Sequence, residues 1–228
     1  MRRYSVIWDF DGTILPSTPY DSEQSLLMYK LTYPQERIAF VKRIFAKAII
    51  YADRKEHLRK TFKRFFVSFL RGTHTHTLDH ISECLAERIS KADRDAILHL
   101  RGDGHEMMVI SCGTADLSER VLKVAGLLKC FSRIEGNRFQ IVNNQLMGMD
   151  FQVRDPEDKV ELVNGLGVCP EKAVVVGDGY TDIPLLDWAK YPILLDRTGK
   201  KRVRFAKKRY HFVDSIPEVA EMIIRGFD

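Results

Sequence analysis

Cysteine is scarce in this chain and shows no pairing pattern. Cys84, Cys112, Cys130 and Cys169 are scattered through 228 residues, with no C-x-x-C pair and no histidine at zinc-finger spacing. That argues against a disulfide-stapled scaffold and a structural zinc module, and reads as free thiols of a reducing compartment. Long apolar runs are lacking too: Lys47 and Lys63–Arg64 interrupt the best candidates before the roughly 18 residues that a membrane span needs. The first strand-like run begins near Tyr4, so no room is expected for a secretory signal and the expected location is cytoplasmic. There are no internal repeats or low-complexity tracts, and 14 glycines and 8 prolines mark neither a linker nor a fibrous protein. Acid is outnumbered, 31 Asp and Glu against 36 Lys and Arg, a net charge of +5. The excess favours anionic partners without choosing among phosphorylated metabolites, nucleic acid and a membrane surface.

What is present is enough apolar sequence, 45% of residues, for one good core and a small second domain. YSVIW (4–8), MMVIS (107–111), AVVVG (173–177) and PILL (192–195) are short, Val- and Ile-rich and apolar at successive positions, as strands covered by helices on both faces should be. A weaker run, FSRIEG, lies at 131–136. Helical patterns separate them at 115–127, 156–167 and 181–190, and RFQIVNNQLMGMDFQV (138–153) reads as a β-hairpin turning at Asn143-Asn144. Alternating strands and helices predict an α/β fold with a Rossmann-like, doubly wound parallel sheet.

The stretch between the first two strands breaks that rhythm. Leu58, Phe62, Phe65, Phe66 and Phe69 share one helical face, and Phe40, Ile44, Phe45 and Ala48 share another. Both stripes are expected to be core. We read residues 16–92 as an inserted helical cap domain, with Pro16 and Pro19 at its exit, and 1–15 together with 93–228 as the Rossmann-like core. The acid-free run RTGKKRVRFAKKR (197–209) is expected to be a solvated helix face.

Ligands of an open α/β sheet gather at the carboxyl ends of its strands. There the sequence places Asp9 and Asp11 after the first strand, Ser111 at the second, and Asp178 with Asp182 just beyond the AVVVG strand. Clustered carboxylates repel one another unless a cation neutralises them, and an all-oxygen site that also holds phosphate suits Mg²⁺. One carboxylate is then free to act as nucleophile and another as acid/base. Lys159 could add a fixed positive charge, and Cys112, Gly113 and Thr114 could turn backbone amides toward an anion. Together these are the parts of a phosphoryl-transfer site.

These segments resemble the motifs of the haloacid dehalogenase superfamily. Asp9-Phe10-Asp11-Gly12-Thr13 matches the first motif (DxDGT), Ser111 the second, Lys159 the third, and Gly177-Asp178-Gly179-Tyr180-Thr181-Asp182 the fourth (GDGxxD), in the same order. The helical insertion and the GDG form resemble the phosphoserine phosphatase-like branch. The resemblance implies a HAD-like core with a helical cap and a Mg²⁺-dependent phosphomonoester hydrolase acting on a small metabolite. In that reading Asp9 becomes an aspartyl-phosphate, and Asp11 protonates the leaving oxygen and then deprotonates water. Ser111, Cys112, Gly113, Lys159 and Thr13 bind phosphate or set its loop. Asp9, the backbone carbonyl of Asp11, and Asp178 ligate Mg²⁺, with Asp182 behind them. Asp11 also favours phosphoryl over halide chemistry.

Two positions depart from the phosphoserine phosphatase pattern. Thr18 stands where a cap glutamate is expected, with Asp21 and Glu23 offset, and Ser111-Cys112-Gly113 replaces Ser-Gly-Gly. Both argue against phosphoserine as the substrate. The cap is instead basic (Lys42, Arg43, Lys47, Arg54, Lys55, Arg59, Lys60, Lys63, Arg64), which would suit a second anionic group on the substrate, although most of these charges are expected to face water. THTHTLDH (73–80), with His74, His76 and His80, is expected to be a surface loop rather than a zinc site. The alternatives are a phosphotransferase or mutase using the same aspartyl-phosphate, and a nucleic-acid-end phosphatase resting on Lys200, Lys201, Arg202, Arg204, Lys207, Lys208 and Arg209. That run lacks the interleaved aromatics of a stacking platform, apart from Phe205 and Tyr210.

Overall fold

The computed structural model describes residues 3–32, 44, 47–51 and 59–227, with side chains from 62 onward in the last segment. Strand β1 (Ser5–Trp8) lies at the centre of the sheet, between β2 (Glu106–Thr114) and β5 (Ala173–Gly177), parallel to both. The seven strands follow the order β4-β3-β2-β1-β5-β6-β7, with β3 (Arg133–Val142), β4 (Gln145–Asp150), β6 (Tyr191–Leu195) and β7 (His211–Val213); every pairing is parallel except β3 with β4.

The uninterrupted apolar runs follow from helices on both faces. Successive side chains of a strand point to opposite sides. Val6, Trp8, Met107, Val109, Val174 and Val176 enter the larger core on one face. Ile7, Met108, Ile110 and Val175 enter a second core on the other.

Three sequence expectations are corrected at the sheet edges. The 131–136 run and the hairpin are one feature: β3 pairs first with β2 and then, without a break, with β4. The turn is where it was expected, because Asn143 (φ 50°) and Asn144 (φ 61°) both adopt the left-handed conformation that a tight hairpin turn demands. The second correction is β7, three residues too short to show a period.

The third correction concerns THTHTLDH, which is not a loop. Thr75–Ala86 is a helix with His74 at its N-cap, and the residues before it pair with the hairpin: Gly72 N–H donates to Leu146 O at 2.7 Å, and Leu146 N–H to Thr73 O at 2.9 Å. The three histidines fail to gather; His74 stacks on His76 and touches Gln145, whereas His80 packs on Tyr29.

Among the described residues the segment between β1 and β2 is helical, with α1 (Ser22–Thr32), a helical stretch at 47–51, α2 (Arg59–Leu70), α3 (Thr75–Ala86) and α4 (Lys91–Gly102). Helix α3 packs on α5 (Ala115–Val124), and α4 packs on α9 (Ile216–Arg225). On α2, Phe62 and Phe66 are buried and stack on one another, and Phe66 reaches Phe139 of the hairpin; Phe65 and Phe69 are half-buried. Leu58 lies outside the described residues, as do Phe40 and Phe45. The stripe preceding α2 is not core where it is described: Ile44 and Ala48 are exposed, and Ile50 is buried instead. The helix turns its Ile50 side inward, against the core cluster that includes Leu26, Leu27 and Leu31. No described helix is long and apolar enough to cross a membrane.

Candidate active site

Register delivers the first aspartate. Trp8 lies opposite Val109 on one side and Val176 on the other, and Asp9 prolongs the pairing by donating its N–H to Val176 O at 2.9 Å. This is the crevice where chain order reverses across the sheet, between β1 and β5. The chain then bends sharply. Gly12 has φ +88°, and a Cβ there would come within 2.4 Å of the Asp178 carboxylate, so any side chain would evict Asp178. The bend sends the two aspartates of DFDGT different ways: Asp9 turns inward, and Asp11 turns to α1, accepting from Ser22 N–H at 2.7 Å and Ser22 Oγ–H at 2.8 Å.

Lys159 comes from the first turn of α6 (Asp158–Gly165) and is fully buried. Its ammonium donates to Asp9 Oδ1 at 2.8 Å and to Asp182 Oδ1 at 2.7 Å. The other oxygen of Asp182 accepts the N–H groups of Asp178 at 2.9 Å and Gly179 at 3.1 Å. Every bond therefore makes Asp182 a bracket that fixes the lysine and the loop carrying Asp178. Gly177 must be glycine for the bracket to fit, since a Cβ would meet the Asp182 Cβ at 2.5 Å.

Burial, helped by repulsion from Asp182 and Asp178, pushes the Asp9 carboxyl up to about 8 against the pull of Lys159. Burial works to lower the pKa of Lys159, yet Asp182 and Asp9 together hold it above the ordinary lysine range. The site is thus short of positive charge. Asp9, Asp178 and Asp182 bring carboxylate oxygens within 4.8 Å of one another, and one buried lysine serves two of them. A hard divalent cation with oxygen ligands fits that donor set.

Ser111 and its neighbours form the opposite wall. Strand β2 runs through Ser111-Cys112-Gly113-Thr114, so Ser111 stands within the strand, three residues before its last residue. Ser111 Oγ accepts the Gly113 N–H at 2.9 Å, and a Cβ on Gly113 would lie 2.9 Å from Asp11 Oδ2. Asp11 therefore stands directly over Gly113, beside Ser111. Thr13 is buried, its hydroxyl has no partner among the described residues, and its carbonyl accepts from Arg197 at 3.1 Å.

Sequence reasoning missed four supporting residues. Asn137, fully buried, clamps the Ser111 wall: its amide donates to Cys112 O at 3.0 Å while its oxygen accepts from the N–H groups of Gln152 and Val153. Glu23 is buried between the helical insertion and β2, where it accepts from Thr114 Oγ1 at 2.5 Å and forms an ion pair with Lys63. Lys63 thus departs from the expected solvated face. Asp196 accepts the Lys201 N–H at 2.7 Å, and Lys201 forms an ion pair with Asp178. Only a glutamate offset from Thr18 hinted at any of these; Thr18 itself is exposed.

Lys47 and Arg64 are exposed; Lys42, Arg43, Arg54 and Lys55 lie outside the described residues, as do the side chains of Arg59 and Lys60. The basic run forms only a short helix, α8 (Lys200–Arg204), which follows α7 (Ile183–Trp188) and β6 in the chain. It is not simply solvated, because Lys201, Arg202 and Lys208 pair with Asp178, Asp214 and Asp187 from elsewhere in the chain.

The model of the haloacid dehalogenase-like hydrolase family matches residues 6–187. A curated phosphoserine phosphatase of Archaeoglobus fulgidus is 26% identical over 204 residues, covering 83% of this chain and 57% of that relative; the chain spans little more than half the relative's length. Among solved structures, a substrate-bound phosphoserine phosphatase complex superposes with a TM-score of 0.70 at 16% identity over 99% of both chains. A phosphoserine phosphatase described as a phospho-aspartyl intermediate analogue gives 0.66 at 20% identity, over 97% of this chain and 99% of that one. These structures share the fold, and the family model spans β1, Lys159 and the Asp178 loop. The chain belongs to the haloacid dehalogenase-like hydrolases.

Proposed function

We propose that this protein is a Mg²⁺-dependent phosphatase that hydrolyses a small phosphomonoester through an aspartyl-phosphate on Asp9. The observation that carries the reading is the placement of Asp9: buried at the end of β1, bonded to Lys159, and within 4.8 Å of Asp178 and Asp182. Asp9 attacks phosphorus as its bond to the leaving oxygen breaks, and Asp11 gives that oxygen a proton. Asp11 then takes a proton from water, whose oxygen attacks phosphorus and frees Asp9 and inorganic phosphate. Lys159, Ser111 Oγ and the amide of Cys112 bind the phosphoryl oxygens, the amide of Gly113 holds Ser111 Oγ in place, and buried Thr13 holds the loop between the aspartates. Asp9, the Asp11 carbonyl and Asp178 would hold Mg²⁺, which when bound offsets the negative charge of carboxylates and phosphoryl group. Asp182 orients this set through Lys159 and the two amides.

Residues 16–92 serve in this reading as a cap over the site. The bonds of Ser22 to Asp11 and of Glu23 to Thr114 support that role. A cleft of about 450 Å³ lined by Lys63, Arg64, Phe151, Val153, Arg154 and Asp155 lies where the insertion meets the loop leading to Lys159. With Lys63 held by Glu23, Arg64 and Arg154 support a substrate with a second anionic group. Glu23 already has Lys63 as its partner, which weighs against a substrate ammonium there. The four thiols are free, which supports a reducing, cytoplasmic setting.

The test is phosphate release from a panel of phospho-acids, bisphosphates and neutral sugar phosphates, in Mg²⁺ and in EDTA, beside Asp9→Asn. Metal-dependent release that disappears in the variant is expected, with leaving groups that carry an anionic group preferred. Substantial turnover by Asp9→Asn would overturn the assignment, and equal rates across the panel would remove the second-anion clause.

A further inference from the structure

Lys201, in the acid-free run after β6, reaches the acidic cluster through a rigid mount. Asp196, the residue after β6, is fully buried. Its Oδ2 accepts the N–H groups of Lys201 at 2.7 Å and Arg202 at 2.8 Å, and its Oδ1 accepts the N–H and hydroxyl of Thr198 at 3.3 and 3.2 Å. These bonds tie the start of α8 to the end of a core strand, with Gly199 making the turn at φ +72°. The far end of α8 is held against the loop that carries Asp178: the Arg204 guanidinium lies 3.8 Å from the Tyr180 ring centre, and Phe205 meets the same ring edge-on. Fixed at both ends, α8 places Lys201 Nζ 2.5 Å from Asp178 Oδ2.

We propose that Lys201 is a built-in counter-cation of Asp178, which a divalent ion must displace to load the cluster. Lys159 is already committed to Asp9 and Asp182, so Lys201 neutralises the remaining carboxylate of the three. An oxygen bonded to an ammonium is withheld from a metal ion. The apparent affinity is then the intrinsic one reduced by the fraction of molecules in which Asp178 is released. The lysine side chain is 28% exposed and that of Asp178 19%, so water partly screens the pair. Removing the ammonium is therefore expected to tighten Mg²⁺ binding by about three- to tenfold. The inference rests on the divalent-cation reading of the cluster and adds a device that sets how readily the cluster fills.

The experiment is calorimetric titration of Mg²⁺ into wild type, Lys201→Met, Lys201→Gln and Lys200→Met, with melting of each in EDTA and in Mg²⁺. Both Lys201 variants are expected to bind Mg²⁺ more tightly, to melt lower in EDTA, and to gain more from Mg²⁺ than wild type. Lys200→Met removes a neighbouring charge from the same helix and is expected to change each quantity far less. Unchanged or weaker binding in a Lys201 variant that melts cooperatively overturns the inference, as does an equal gain in Lys200→Met. Absence of Mg²⁺ binding in wild type and every variant overturns the cation reading as well.

Discussion

Asp11 and Ser22 are joined twice: the aspartate accepts both the backbone N–H and the hydroxyl of the serine, at 2.7 and 2.8 Å. Ser22 opens α1, so the side chain assigned as acid/base is anchored to the first turn of the helical insertion, where amides favour a carboxylate. Arg88 steadies the same corner by donating to Tyr20 O at 2.7 Å and to Ser25 Oγ at 3.2 Å. Removing the carboxylate should abolish proton transfer, and removing the hydroxyl should only loosen it. Steady-state phosphate release is expected to fall by about 10²- to 10⁴-fold in Asp11→Asn and on the order of tenfold in Ser22→Ala. Wild-type turnover in Asp11→Asn would remove the residue from the chemistry.

The raised Asp9 pKa makes the metal-free protein sensitive to pH. Its ordinary value is 3.8 and its folded value about 8, so between them the native state holds a proton that the unfolded chain has lost. Stability therefore falls as pH rises through that window and levels off above about pH 8. Lys159 adds no slope there, because its raised pKa leaves it protonated in both states. Buried His105, whose pKa is lowered from 6.5, gives the opposite slope, but only below that ordinary value. In EDTA the melting temperature should thus fall from pH 6.5 to 8, and Asp9→Asn should flatten the fall. Parallel profiles for the two proteins would contradict the burial argument.

Glu23 and Lys63 form a buried pair, 2% and 8% exposed. Such a pair contributes little net stability, but breaking it leaves one charge stranded in the core. Lys63→Met is expected to destabilise the fold by roughly 3–5 kcal/mol, while Glu23→Gln combined with Lys63→Met should recover much of the loss. Urea unfolding of the two single variants and the double variant measures the coupling. Additive losses would mean that the two charges do not act as a pair.

The sequence by itself determined six of the seven strands, the fold class and the six residues proposed to carry chemistry, Asp9, Asp11, Ser111, Lys159, Asp178 and Asp182. Strands buried on both faces announce themselves as runs such as YSVIW and AVVVG, and DFDGT, Ser111, Lys159 and GDGYTD keep their order whatever lies between them. Short-range geometry is also legible, as at Asn143-Asn144, where the turn needs two left-handed residues and the sequence supplies them. Tertiary structure decided everything that depends on which distant segment arrives opposite. A buried Glu23 reads like any helical glutamate until Lys63 and Thr114 meet it, 40 and 91 residues away. THTHTLDH has little apolar periodicity of its own, and the hairpin edge and α5 make it a helix start. Lys201 looked like one charge among many in a solvated run, because charge carries no direction along a sequence. Only the buried Asp196, which fixes the start of α8, aims that ammonium at Asp178.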